Sequence, residues 1–185
     1  PLAVITFMLI FGIAAYVGLL RQKASLNDIY NNRFKAYQVS ENIHGDLQGV
    51  HTNIYRLMSW AVAKYEASKL EALGSKQLKI MEHSIENIKK AADTKGATAE
   101  EKKIFESLLK QAEDYRKAAT SAIDLASSDI NFATMYMGTA DDKFQALEKT
   151  FELLRDLEAK LSEDQYHAAE RSAGKVLATL VLVLL

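Results

Sequence analysis

The two ends of the chain are apolar, and the long middle is polar. Residues 1–20 and residues 176–185 carry no charged side chain, so all 23 basic and all 24 acidic residues lie from Arg21 to Lys175. A bilayer core about 30 Å thick is crossed by a helix of about 20 apolar residues. The pattern predicts a transmembrane helix over 1–20 and the truncated start of a second one over 176–185. A cleaved signal peptide is the alternative at the amino terminus.

The first part of the polar middle has the periodicity of an amphipathic helix. Apolar residues recur three and four positions apart and form one broad face. The members of this face are Leu26, Ile29, Tyr30, Phe34, Tyr37, Ile43, Leu47, Val50, Ile54, Leu57, Met58 and Ala61. Because nothing interrupts the face, we expect one continuous helix from the membrane to about Glu66.

Turn and capping signals divide the rest of the chain into three further amphipathic helices. In chain order the signals are a capping box of Ser68 and Glu71, a glycine stop at Gly96, a capping box of Thr98 and Glu101, and a glycine break at Gly138 followed by Thr139 and Asp142. Long helices joined by short turns pack as antiparallel neighbours. The sequence therefore predicts an all-α, up-down-up-down four-helix bundle over 21–175, with its first and last helices continuing into the membrane.

Composition argues against most enzymatic and nucleic-acid functions. The chain has no cysteine and a net charge of −1, which excludes thiol chemistry and a basic nucleic-acid surface. A di-iron bundle needs two E-x-x-H pairs, and only Glu41 with His44 fits. His44 and His51 are seven residues apart, about 10.5 Å along a helix, which is too far to share one metal. We predict no enzyme, no metal and no cofactor, with a haem-binding bundle as an alternative.

A stripe at seven-residue spacing runs along the first helix. Its members Tyr37, His44, His51 and Met58 predict a surface that packs against another helix or another subunit, and we assign them to a dimer interface. Gly45 and Gly49 form a GxxxG pair within the same helix. Such a pair allows two helices to approach closely, although it also occurs by chance.

A small-ligand site is predicted near the far end of the bundle. Arg56 lies on the first helix, with Asn53 one turn before it and Trp60 one turn after it. The end of the third helix and the start of the fourth should reach the same height with Thr134, Tyr136 and Thr139. An arginine with amide and hydroxyl partners suits a carboxylate ligand. The alternative is a solvated arginine on the bundle surface.

The layout and texture of the whole chain resemble those of a known family of sensor domains. The resemblance rests on the uncharged start, on "NNRFKAYQVSENIHGDLQGVHTNIYRLM", and on "LASSDINFATMYMGTADDKFQALEKTFELLRDLEAKL" leading to the second apolar run. The chain resembles the four-helix-bundle sensor domains of bacterial methyl-accepting chemotaxis proteins.

That resemblance implies a homodimer in the bacterial inner membrane, in contact with membrane lipid, with residues 21–175 in the periplasm or outside the cell. It implies a bound small solute, and an axial shift of the last helix that reaches a cytoplasmic kinase-control module. Arg56 and Thr139 match the family's ligand-gripping arginine and hydroxyl. Amino-acid-sensing members carry several such arginines, whereas Arg56 is the only arginine in the far half of the first helix here. A sensor domain of a histidine kinase or a cyclase and a structural membrane stalk are the other interpretations.

Overall fold

The computed structural model describes residues 2–28, 34–94 and 96–184. They form five helices, and the all-α prediction is confirmed. The helices are α1 (Leu2–Asp28), α2 (Lys35–Val62), α3 (Ala67–Ala92), α4 (Ala99–Leu125) and α5 (Ile130–Leu184). The chain divides into two compact units, one of residues 37–156 and one that combines residues 1–36 with residues 157–185. The 55-residue helix α5 contributes to both units.

The unit of residues 37–156 is an antiparallel bundle of α2, α3, α4 and the first half of α5. Its core follows the three- and four-residue spacing of the sequence, because that spacing keeps apolar side chains on one face of each helix. The largest apolar side chains that are fully buried are Ile43, Leu47, Ile54, Leu57, Met81, Ile88, Leu108, Tyr115, Leu147 and Leu154. The predicted four-helix bundle is confirmed.

The turn between α3 and α4 matches its sequence signals. Gly96 has a positive φ of 99°, a conformation that costs other residues more than glycine. Thr98 caps α4, since its hydroxyl oxygen accepts a hydrogen bond of 3.1 Å from the Glu101 backbone N–H. The Glu101 carboxylate accepts in return from the Thr98 N–H. The predicted stop and capping box are therefore both correct here.

The predicted turn at Gly138 is wrong. Gly138 is exposed inside α5, and the turn between α4 and α5 lies at residues 126–129. Asp129 caps α5, because its Oδ1 accepts from the N–H groups of Asn131 and Phe132 at 3.1 and 3.2 Å. One glycine costs a helix about 1 kcal/mol, which flanking turns packed against a core outweigh. Thr139 and Asp142 consequently do not start a helix.

The other two helix boundaries also differ from prediction. Helix α3 begins after Glu66, whose side chain makes no capping hydrogen bond, so Ser68 lies within the first turn and the predicted Ser68–Glu71 box is wrong. Helix α2 ends at Val62 rather than near Glu66, and the stacked rings of Trp60 and Tyr65, 5.2 Å apart, close the turn. The predicted continuity between the apolar run and α2 falls on residues 29–33, outside the described residues.

The second unit brings α1 against the end of α5. Residues 4–27 of α1 are long and apolar enough to cross a membrane, with a mean hydropathy of 2.1. A Cβ built on Gly18 would lie 3.5 Å from the Val176 Cβ and 2.7 Å from its Cγ1, so the two helices meet closely there. The truncated second membrane helix over 176–185 stays a prediction.

Candidate functional site

A buried histidine joins three helices of the bundle. His51 of α2 is 8% exposed, and its ring stacks on Phe144 of α5 with the centroids 4.1 Å apart. His51 Nε2 lies 3.0 Å from Asp141 Oδ1 of α5, and His51 Nδ1 lies 3.2 Å from the Tyr115 hydroxyl of α4. This cluster therefore fixes the relative heights of α2, α4 and α5.

Asp141 is the hub of the cluster and its contact with solvent. The Tyr55 hydroxyl donates to Asp141 Oδ1 at 3.2 Å, and Gln145 Nε2 donates to Asp141 Oδ2 at 3.3 Å. The Asp141 side chain is 37% exposed, whereas Tyr115 is fully buried. The cluster thus runs from the surface to the centre of the bundle.

The protonation states in the cluster follow from burial. Desolvation lowers the pKa of His51 below its usual 6.5, although the Asp141 carboxylate partly opposes the shift. Burial raises the pKa of the Tyr115 hydroxyl. A carboxylate only accepts hydrogen bonds, so Nε2–H of neutral His51 donates to Asp141, and Nδ1 accepts from Tyr115. One tautomer therefore satisfies every bond in the cluster.

Two further polar contacts continue along the α2–α5 interface. His44 Nε2 donates to Glu148 Oε1 at 2.8 Å, and Arg155 Nε donates to Glu41 Oε1 at 3.0 Å. Together with Asp141, the α5 partners recur every seven residues, while their α2 partners run in the opposite chain direction. These contacts set the antiparallel register of α2 and α5.

The residues predicted for a dimer interface lie mostly inside the bundle. His51 and Met58 are each 8% exposed, and His44 is half-buried against Phe151, whereas Tyr37 is 41% exposed. Seven-residue spacing selects one face of a helix but does not say which helix covers it. His51 and Met58 are therefore used by contacts within the protomer. Haem ligation by His51 would also require breaking the hydrogen bond at whichever ring nitrogen bound the iron, because both nitrogens already have a partner.

Three of the residues predicted for ligand binding lie on α2. Asn53 faces α3, where its Nδ2 donates to the Oε1 of buried Gln77 at 3.3 Å. Trp60 stacks on Tyr65, and Arg56 is exposed. Asn53 and Trp60, which the sequence predicts beside Arg56, therefore contact Gln77 and Tyr65 instead.

The other three predicted residues lie on α5. Thr134 is exposed, and its hydroxyl donates to the Ile130 carbonyl at 2.8 Å. Tyr136 and Thr139 line a surface groove of about 310 Å³ between α4 and α5. Its other polar lining residues are Asp114, Lys117, Ser121 and Lys143. The structure therefore brings Tyr136 and Thr139 together with two lysines of this groove.

Comparison with known families accounts for this architecture. A family model described as a four helix bundle sensory module for signal transduction matches residues 1–173. The chain belongs to this family. A search of curated proteins with this chain finds no match. The match confirms the predicted resemblance to the sensor domains of methyl-accepting chemotaxis proteins.

The main polar cluster of the sensory module was missed by sequence reasoning. Tyr115 and Asp141 were not singled out, because a tyrosine and an aspartate on amphipathic helices are ordinary residues. Their signal was the seven-residue repeat of polar residues at positions 141, 148 and 155, opposite His51 and His44 on α2. Lys117 and Lys143 carried no such signal, since exposed lysines are common on helices.

Proposed function

We propose that this sensory module is the extracytoplasmic solute-binding part of a bacterial transmembrane chemoreceptor. It is non-enzymatic, sits in the inner membrane as a homodimer, and passes solute binding to a cytoplasmic kinase-control module. The observation that carries the proposal is α5, which runs without interruption from Ile130 in the bundle to Leu184. A continuous helix that contributes to both units offers a physical route for a small axial displacement.

The groove between α4 and α5 is the solute site in this proposal. Its Lys117 and Lys143 outnumber its single acid, Asp114, and Tyr136 and Thr139 contribute hydroxyl-bearing side chains to the same lining. Ammonium and hydroxyl groups together favour a carboxylate or another small anion. The groove volume of about 310 Å³ is at the lower end for small-molecule sites. A solute bridging the two helices would shift α5 relative to α4.

The contact between Gly18 and Val176 provides a direct readout of α5 movement. The 3.5 Å between the two Cβ positions is within the range that a disulfide requires, and the chain has no cysteine of its own. We expect the double variant Gly18→Cys/Val176→Cys to cross-link rapidly in membranes. A bound solute should change that rate several-fold, because it displaces α5 along α1.

The experiment measures cross-linking in vesicles with and without organic acids, amino acids, amines and neutral solutes. Gly12→Cys with Val176→Cys is the control, because nothing lies within 4 Å of a Cβ at Gly12. Lys117→Gln/Lys143→Gln should remove the response to anions, while Arg56→Ala tests the site first predicted on α2. A rate that no solute changes would contradict the proposed function, and a response lost only in Arg56→Ala would move the site to α2.

A further inference from the structure

Two surface grooves flank the contact between α1 and the end of α5. One has a volume of about 350 Å³ and the other about 300 Å³, and Gly18, Ser172 and Val176 line both. They exist because small residues at the contact leave space beside it. Ala15 and Ala173 widen the first groove, and Ala14 widens the second.

The charged residues that line these grooves are all basic. Arg21 lines both grooves, and Lys175 lines the second. No Asp or Glu lines either groove among the residues that the structure describes. Arg21 directly follows the uncharged residues 1–20, and Lys175 directly precedes the uncharged residues 176–185. The cations of both helices therefore mark one boundary between polar and apolar surface.

A largely apolar groove whose charged lining residues are all cations matches one class of molecule. A phospholipid has an acyl chain for the small-residue floor and a phosphate for the basic rim. Cations near the membrane surface attract the anionic headgroups of phospholipids. A soluble anion would leave the apolar part of each groove empty, so the grooves favour a lipid.

We propose that an anionic phospholipid binds beside α1 and α5, with its phosphate against Arg21 and Lys175. One acyl chain lies along Ala14, Gly18 and Val176. The proposal rests on the proposed function, because it requires the chain to span a membrane. The bound lipid stabilises the Gly18–Val176 contact, so membrane composition adjusts the contact through which α5 moves.

The test measures lipid retained by the full chain after extraction from vesicles that hold equal amounts of phosphatidylglycerol and phosphatidylcholine. Native mass spectrometry counts each lipid on the protein. We expect phosphatidylglycerol to be retained several-fold over phosphatidylcholine. Arg21→Gln/Lys175→Gln should abolish this preference. The control Lys23→Gln/Arg171→Gln removes the same charge from the same helices, at exposed residues that line neither groove.

Three outcomes would overturn the inference. Equal retention of both lipids excludes an anionic site, and equal loss in the two double variants reduces the effect to diffuse surface charge. Failure of the chain to insert into vesicles removes the proposed membrane function as well. Insertion without any lipid preference removes the lipid site alone, so the two failures are distinguishable.

Discussion

At the scale of single residues, His51 makes the stability of the bundle depend on pH. Its pKa is lowered in the folded state, so between that value and 6.5 the unfolded chain binds more protons than the folded chain. The contribution of neutral His51 is complete above pH 6.5 and is lost as the pH falls through the folded-state pKa. Protonation would also make Nδ1 a donor toward Tyr115, whose hydroxyl proton would then lose its acceptor.

We therefore expect the melting temperature of the chain to fall between pH 7.5 and pH 5. The fall should be markedly smaller in His51→Gln, which keeps a polar side chain but cannot titrate. Carboxylates elsewhere contribute to acid destabilisation in both proteins, so the difference between the two curves is the quantity to measure. Exposed His83→Gln is the control and should follow the wild type. Parallel curves for His51→Gln and wild type would contradict the assignment.

Glycines at two positions have opposite roles, which single substitutions reveal. A Cβ on Gly74 of α3 would lie 2.6 Å from Ile123 Cγ2 of α4 and 3.3 Å from Leu57 Cδ1 of α2. Because β-branched Ile123 has few alternative rotamers, Gly74→Ala should destabilise the bundle by about 1–3 kcal/mol.

The second position is Gly138, where an added Cβ would have no atom within 4 Å. Gly138→Ala should therefore stabilise the bundle by up to about 1 kcal/mol, because alanine favours a helix more than glycine does. Urea unfolding measures the change in the free energy of unfolding for both variants. A destabilising Gly138→Ala would contradict the helical conformation of Gly138.

At the scale of helices, the sequence predicts packing better than it predicts boundaries. The number of amphipathic faces and the Thr98–Glu101 box were readable, since spacing and capping chemistry are local. The end of α4 was not, because Ala126 is buried and Asp129 resembles any surface acid until its backbone partners are known. Gly138 looked like a stronger signal than Asp129, yet packing on both sides keeps that glycine helical.

For the candidate site too, the sequence predicts which side chains take part but not which helix packs opposite them. Tyr136 and Thr139 were predicted from their residue types and from their expected height opposite Arg56, and they do line a groove. Their partners come from α4 rather than α2, because the true turn lies nine or more residues before Gly138 and changes what faces them. Sequence spacing located the polar side chains but could not determine which helix lies opposite.

At the scale of the whole molecule, the proposed function makes α5 the element that links the bundle to the Gly18–Val176 contact. If that helix transmits displacement mechanically, interrupting it should uncouple the two units without unfolding either one. Glu163 and Asp164 are exposed and lie beyond the buried residues of the bundle core. Four glycines inserted between them would interrupt the continuous helix with a flexible segment.

We expect this insertion to leave the melting temperature of the bundle within a few degrees of wild type. The Gly18→Cys/Val176→Cys pair should then cross-link at a rate that no longer responds to solute. Four glycines inserted after Ser127, in the turn between α4 and α5, are the control and should preserve the response, because they leave α5 intact. If the insertion at 163–164 still transmits the solute effect, the signal travels by another route, and a rigid α5 is not its carrier.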